Sequence, residues 1–281
     1  NERHELNFTP PGEKTPLFLG FSISPLLDSD RQHTGHIIIF QDLSNYKRLE
    51  ELAARNEKLA AIGQLSAAIA HEIRNPLASI SGSVEMLQSI SSLSEDEHAL
   101  MNIVLNEVER LNKLISEFLD YTRPRPLNLE HTSITELFDE TLLLFSHHSN
   151  AINVTFNKDD DLPLIPMDKE ALKGVLWNLL VNAAQAMDEL PEDEQQIHIH
   201  IELNDAQISI AVEDNGPGLA PADAQHMFEP FFTTKDTGTG LGLATAFRIM
   251  EAHKGEIMLT TPRQLRGACF MLSLPTKPPH N

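Results

Sequence analysis

Apolar and polar positions fall into three stretches of different period along the chain. In residues 17–42, Leu17-Phe18-Leu19 leads into Gly20, Phe21-Ser22-Ile23-Ser24 alternates, and His36-Ile37-Ile38-Ile39-Phe40 follows the turn residue Gly35. This pattern predicts strands. So few apolar residues make a poor independent domain, so residues 1–44 are expected to be the closing strands of one. From about Ser44 the period becomes helical. Leu49, Leu52, Asn56 and Leu59 step by the spacing of a coiled-coil seam, with Asn56 at a register-setting position. The stripe continues through Ile62, Leu65, Ile69 and Ile73. After the polar stretch Ser92 to Glu97, a second amphipathic run follows through Leu100, Ile103, Val104, Val108, Leu111, Ile115, Phe118 and Leu119. Two such helices form a hairpin whose apolar face is too wide for one hairpin to cover; dimerisation into a four-helix bundle is the simplest remedy, and an ordinary coiled-coil spacer is the plain alternative.

Pro124 and Pro126 end the second helix. Beyond them helices are predicted near 133–146, 168–189 and 241–253. Strands are predicted near 152–157, 256–261 and 268–274, with a hairpin of Ile197–Leu203 and Gln207–Val212 turning at Asn204-Asp205. The fold class is therefore α+β, a helical hairpin over 45–125 followed by an α/β sandwich over 126–281.

Composition narrows the function. The 281 residues carry 21 basic and 41 acidic side chains, a net charge of −20, with 9 basic and 23 acidic ones in residues 126–281. Such a chain lacks the basic footprint that duplex DNA or an anionic membrane surface requires, so no direct nucleic-acid contact is expected. The lone Cys269 excludes an internal disulfide framework and suits a reducing compartment. No stretch approaches the ~20 apolar residues of a membrane span. Because the chain starts at Asn1 rather than Met, it is expected to be the cytoplasmic output half of a longer protein, whose missing part could carry a membrane anchor.

One histidine stands out. His71, in Ala70-His71-Glu72-Ile73-Arg74-Asn75-Pro76-Leu77, lies about 200° around the helix from the core position Ile69 and points outward. Asn75 stacks one turn along the same exposed face, and Pro76 should kink the helix beside it. A largely neutral imidazole keeps a free lone pair at pH 7, and Glu72 could hydrogen-bond the ring or take its proton. A solvated surface histidine is the plain alternative.

The second half carries two glycine clusters. Asp214-Asn215-Gly216-Pro217-Gly218-Leu219 follows a predicted strand, and Thr237-Gly238-Thr239-Gly240-Leu241-Gly242-Leu243 opens a helix. Glycines at a helix start let backbone N–H groups approach an anion. Neither a P-loop nor the lysine, H-R-D and D-F-G elements of protein kinases occur. Asn178 and Asn182 lie four apart on one face of a helix and offer neutral oxygens suited to Mg²⁺ carrying phosphates. A polar stripe on a core helix would look the same.

Taken together these segments resemble the sensor histidine kinases of two-component systems. His-Glu-Ile-Arg-Asn-Pro-Leu77 is similar to their phosphoacceptor box. The Asn178/Asn182 helix and the two glycine clusters resemble the N, G1 and G2 boxes of the GHKL (Bergerat-fold) ATPase domain, and Met227 to Lys235 its F box. The resemblance covers roughly residues 47–274. It implies ATP and Mg²⁺ as cofactors and His71 as the phosphorylated nucleophile, with Glu72 assisting attack and Asn75 positioning a water for dephosphorylation of the partner. It further implies Asp214 on the adenine amino group, Asn182 on Mg²⁺ with Asn178 assisting, and Lys235 on the phosphates. Gly216 and Gly218 would shape the pocket, Thr239, Gly240, Leu241 and Gly242 would line the triphosphate side with Gly238, and residues 219–237 would form a lid. The implied partners are a second copy of the chain and the receiver domain of a response regulator. Arg74 to Ser83, Phe118 to Pro124 and Phe231 to Lys235 look most like the nitrogen-regulation and pilus-regulation branch, which implies a sigma-54-dependent activator as regulator. Residues 17–44 resemble the end of a PAS domain, with Asp42-Leu43-Ser44 as its coupling motif. Asn178 stands where hydrolytic GHKL members carry a water-activating glutamate, which favours phosphoryl transfer over hydrolysis.

Other features are weaker. His198 and His200 share one face of a strand, where a solvent-facing surface is a better expectation than a metal site. Asp159-Asp160-Asp161 reads as a solvated turn, and Cys269 as core. Two rival functions share these features, an ATP-hydrolysing clamp and a non-catalytic scaffold.

Overall fold

The computed structural model describes residues 3–8, 17–27, 31–44, 46–47, 70, 72–89, 94–122, 125–149, 151–235 and 238–277. The chain divides into two compact units, Asn1–Ile69 and Ala70–Asn281. The coiled-coil seam from Leu49 to Leu59, its continuation through Ile69, and His71 lie outside the described residues.

The first unit is an antiparallel three-stranded meander of β1 (Arg3–Phe8), β2 (Leu17–Leu27) and β3 (His33–Asp42). Strands β2 and β3 occupy the predicted span. Strand β1, only six residues long, went unanticipated. At the exit of β3, Asp42-Leu43-Ser44 locks back onto β2: the Phe18 N–H donates to Ser44 Oγ at 2.9 Å and the Leu43 N–H to Phe18 O at 2.7 Å. Ile23, Ile37, Ile38, Ile39 and Phe40 remain exposed, as befits strands that lack a core of their own.

The second unit opens with the helical hairpin. Helix α1 (72–88) runs unbroken through Pro76, and α2 spans Glu95–Thr122. Ser94 and Glu97 form a reciprocal capping box at the start of α2, with Ser94 N–H to Glu97 Oε2 at 2.8 Å and Glu97 N–H to Ser94 Oγ at 3.3 Å. The helices are pinned by Arg74 Nη2 to Ser116 Oγ at 2.8 Å and Gln88 Nε2 to Asn102 Oδ1 at 2.9 Å. Ile73, Ile80, Met86 and Leu87 on α1, and Leu100, Ile103, Val104 and Leu111 on α2, stay exposed within the single chain. The hairpin thus has the uncovered apolar face that its pattern predicts.

After the proline linker comes a two-layer sandwich. Helices α3 (Ile134–His148), α4 (Lys169–Ala186) and α6 (Gly242–Ala252) share a core with a five-stranded sheet. Its strands are β5 (Asn153–Lys158), β7 (Gln196–Asn204), β8 (Gln207–Asp214), β9 (Glu256–Thr260) and β10 (Cys269–Pro275), in the order β5-β7-β8-β10-β9. Among the described residues, only β5 and β7 pair in parallel. Alternation decides the faces: Ile197, Ile199 and Ile201 of β7, Ile208, Ile210 and Val212 of β8, and Phe270, Leu272 and Leu274 of β10 all enter the core. Three short elements carried too little pattern to be read, namely the ribbon of β4 (Glu130–Thr132) with β6 (Ile165–Met167) and the single-turn α5 (Pro221–Ala224).

Candidate active site

Helix α4 builds one wall of the site. Asp168 caps it by accepting the Ala171 N–H at 3.0 Å, a contact worth about 1 kcal/mol. Leu172, Val175, Leu176, Leu179, Leu180 and Ala183 recur at steps of three and four and are buried. That stripe leaves Asn178, Asn182 and Gln185 on another face, where all three line a cavity of about 740 Å³.

Both glycine clusters meet the same cavity. Asp214, at the end of β8, is 4% exposed, and its Oδ1 accepts the N–H groups of Gly216 at 2.9 Å and Ala268 at 3.1 Å. Burial raises the Asp214 carboxyl above its ordinary value, although these bonds and the nearby Lys235 oppose the rise. Asn215 secures the turn by donating to Glu194 O at 2.7 Å and accepting the Gln196 N–H at 2.9 Å. Gly218 takes φ +75° and Gly240 φ +67°, a region that L side chains rarely adopt. A Cβ at Gly216 would stand 2.9 Å from Ala186 O, and one at Gly242 would stand 3.2 Å from Asn178 Oδ1, so glycine keeps both passages open.

Lys235 reaches the α4 face from the opposite side. Its Nζ donates to Gln185 Oε1 at 2.8 Å and to Asn182 Oδ1 at 3.4 Å. Burial lowers the Lys235 ammonium from its ordinary value, with Asp188 and Asp214 opposing. The Asn182 amide oxygen therefore already faces a cation. Asn178 Nδ2 donates to Gly242 O at 3.4 Å, which joins α4 to the start of α6.

The structure thus brings Asn178, Asn182, Asp214, Gly216, Gly218, Lys235, Thr239, Gly240 and Gly242 to one cavity, with Gly238 among them. Leu241 differs from its expected place: its side chain is fully buried, and its backbone caps α6 rather than lining the cavity. Glu72 and Asn75 are exposed on α1 and are not lining residues. In the expected lid, Met227 is buried and Phe228 packs on Phe247 with centroids 5.3 Å apart, while residues 236–237 lie outside the described set.

Sequence reasoning missed several cavity residues. Arg110, Lys113 and Glu117 of α2 contribute to the wall, and Glu117 accepts a hydrogen bond from the Thr239 hydroxyl. Tyr121, at the end of α2, lies under the Arg248 guanidinium of α6 at 5.0 Å. These contacts unite positions far apart in sequence and leave no local signature. Ala268 also lines the cavity, and the glycine before it, at the start of a predicted strand, was an available clue. His198 is a correction: it is 5% exposed rather than solvent-facing, with Nε2 3.0 Å from Asn157 Nδ2. Among the described residues no group of three His, Cys, Asp or Glu could hold a metal ion. Cys269 is buried as expected.

Known proteins place this architecture. Residues 167–278 match the family described as histidine kinase-, DNA gyrase B- and HSP90-like ATPase, and residues 61–126 match the His Kinase A (phospho-acceptor) domain. A phosphoacceptor hairpin followed by an ATPase sandwich defines the class. By that domain pair, the chain belongs to the sensor histidine kinases of two-component systems.

Among its relatives, the signal transduction histidine-protein kinase AtoS of Escherichia coli (strain K12) is 37% identical over 280 residues, covering 99% of this chain and 45% of AtoS. Sporulation kinase E of Bacillus subtilis (strain 168) is 34% identical, over 86% of this chain and 32% of its own length. The sensor histidine kinase ZraS of Escherichia coli O157:H7 is 34% identical, over 92% and 60%. The chain therefore spans between about a third and three fifths of these relatives. Two solved structures are also similar. Full-length ShkA in complex with AMPPNP has a TM-score of 0.63 at 25% identity, over 75% of this chain and 45% of ShkA. Histidine kinase ThkA in complex with the response regulator protein TrrA has a TM-score of 0.58 at 29% identity, over 98% and 79%. Among the described residues, no helix is long and apolar enough to cross a membrane.

Proposed function

We propose that this chain is the output half of an ATP-dependent protein-histidine kinase that phosphorylates its own His71 and passes the phosphoryl group to an aspartate of a response regulator. The observation that carries the reading is the single cavity where the Asn178/Asn182 helix, Asp214, Lys235 and both glycine clusters converge, in a chain whose other domain matches a phospho-acceptor. The relatives named as histidine kinases, and the ThkA–regulator and ShkA–AMPPNP complexes, support it.

The residues present fit Mg-ATP. Glycines hold open positions that a Cβ would fill, and the Asn182 oxygen faces an ammonium group where a hard cation could take its place. When bound, Mg-ATP supplies the γ-phosphoryl group, with the metal neutralising its charge. Both backbone donors of Asp214 go to Oδ1, so Oδ2 would be the oxygen to accept from the base's amino group. Lys235 and the N–H groups at the start of α6 offset phosphate charge in a strongly acidic domain. Asn182 would hold the metal, with Asn178 beside it. Asn178 has no carboxylate with which to activate water, so transfer to a protein nucleophile prevails over hydrolysis. Glu72 hydrogen-bonds the His71 ring or takes its proton, and Asn75 orients a water for dephosphorylating the regulator.

The exposed apolar residues on α1 and α2 are covered by a second copy in a four-helix bundle. Residues 1–44 are the end of a PAS domain, 45–125 the dimerisation and phosphotransfer domain, and 126–281 the ATP-binding domain. This chain works in the cytoplasm, and its regulator is an activator of sigma-54-dependent transcription. The test mixes the phosphorylated chain with candidate receiver domains: label should leave His71 and appear on a receiver aspartate. Label that stays on the chain with every receiver contradicts the reading.

A further inference from the structure

Glu213 precedes Asp214 on β8 and is not among the residues lining the cavity, because consecutive residues of a strand face opposite ways. It should stand on the sheet's open face, yet it is 2% exposed. The connection from β9 to β10 covers it. Its carboxylate accepts three successive backbone N–H groups of that connection, from Arg263 at 3.1 Å, Gln264 at 2.9 Å and Leu265 at 3.2 Å. The registers place His198 and Cys269 on either side of it, both buried. Burial alone would raise the Glu213 carboxyl, but the N–H groups of Gln264, Arg263 and Leu265 outweigh it and hold the group below its ordinary value. A buried charge with three backbone donors is costly to remove, because every donor is left unpaired.

The same connection ends on Asp214. The Gly267 N–H donates to Asp214 O at 3.0 Å, the Asp214 N–H donates to Ala268 O at 3.0 Å, and the Ala268 N–H meets Asp214 Oδ1. Gly267 has no room for a side chain. A Cβ there would run into Asp214 Oδ1 and stand 2.6 Å from Asp214 O and 2.7 Å from Gly216 N. One segment is thus clamped by Glu213 on the outer face and by Asp214 at the cavity, with Gly267 allowing the close approach.

We infer that Glu213 and Gly267 are positioning residues that set base selection: by fixing the 263–268 segment they fix the Asp214 carboxylate, and with it the preference for a 6-amino purine over a 6-oxo purine. The inference rests on the proposed contact between Asp214 and the adenine amino group. Neither residue touches the nucleotide; both act through the aim of one oxygen. A site built to accept from an amino group rejects an analogue with a carbonyl there, provided its acceptor cannot shift.

The test titrates the full chain with Mg-ATP and with Mg-ITP, which differ at that position, and follows amide hydrogen exchange of residues 263–268. Glu213→Gln puts an amide donor among three N–H groups. It should weaken ATP by about tenfold or more while changing ITP by less than about twofold, with faster exchange across 263–265. Gly267→Ala should lower the ATP-to-ITP ratio in the same way, and it carries the test if Glu213→Gln does not fold by circular dichroism. Asp214→Asn separates the two ideas. If it erases the preference and a folded Glu213→Gln or Gly267→Ala variant keeps it, the clamp is wrong. If Asp214→Asn keeps the preference, the adenine contact itself fails and the inference falls with it. Equal weakening of both nucleotides by the clamp variants would mark a merely structural role and overturn the assignment.

Discussion

The Thr239 hydroxyl donates to the Glu117 carboxylate at 2.5 Å, tying the glycine-rich segment before α6 to the second helix of the phosphotransfer hairpin. Thr239 lies on the side of the cavity proposed for the triphosphate, so Glu117 sets a negative charge against the phosphates. Glu117→Gln is expected to tighten Mg-ATP by about threefold at low salt, and by less as salt screens the charge. Calorimetric titration at two ionic strengths checks this; unchanged or weaker affinity would contradict it.

With the adenine contact proposed for it, Asp214 would trade stability for binding. Its carboxyl is raised above the unfolded value, chiefly by burial. A raised carboxyl favours the fold below the unfolded pKa and costs stability as pH rises through the folded one. Asp214→Asn removes that cost and keeps an Oδ1 for Gly216 and Ala268, so its Tm at pH 7 should equal or exceed the parent's. ATP affinity should nevertheless fall by about tenfold or more. In the parent, affinity should decline on acidification at a higher pH than an ordinary aspartate would give. A destabilised variant with normal affinity would overturn both statements.

His253 gives a second pH signature. Its Nε2 accepts the Asp168 N–H at 3.0 Å and its Nδ1–H donates to Ile249 O at 2.7 Å, a pattern that requires the neutral ring. Burial lowers its pKa, against the Ile249 bond and the Asp168 charge. A depressed folded pKa means that this stability is fully present above the unfolded value near ~6.5 and is lost as pH falls through the folded one. As pH falls below about 6.5, the parent's Tm should drop more steeply than that of His253→Gln. Parallel curves would refute the assignment.

Asn75 is exposed on α1, so replacing it should spare the fold. Asn75→Ala is expected to keep autophosphorylation within about twofold and to lose most phosphatase activity toward the phosphorylated regulator. Equal loss of both activities would argue against the role given to it.

How much of this was legible in the sequence follows from the range of the interactions. The hairpin of β7 and β8 was readable because Ile197, Ile199 and Ile201 alternate and Asn204-Asp205 marks the turn, with Asp205 indeed at φ 48°. Helix α4 announced itself by its apolar stripe, and that stripe also isolated Asn178 and Asn182. By contrast β4 and β6 have three residues each, fewer than a pattern needs. His198 looked solvent-facing because strand alternation says nothing of tertiary contacts such as its approach to Asn157. The clamp of Glu213 on that loop, the reach of Lys235 to Gln185 and the bond from Thr239 to Glu117 are all tertiary. Residue types could nominate Asp214 and Lys235, but only the fold shows what holds them.

The central claim is that the cavity serves His71. The most direct measurement incubates the purified chain with Mg-ATP labelled at the γ-phosphate and follows the chemical stability of the label. The expected result is one label that is lost in acid and stable in base, located at His71, absent from His71→Gln, and dependent on added divalent metal. Release of free phosphate with no labelled protein, or equal labelling of His71→Gln, would contradict it.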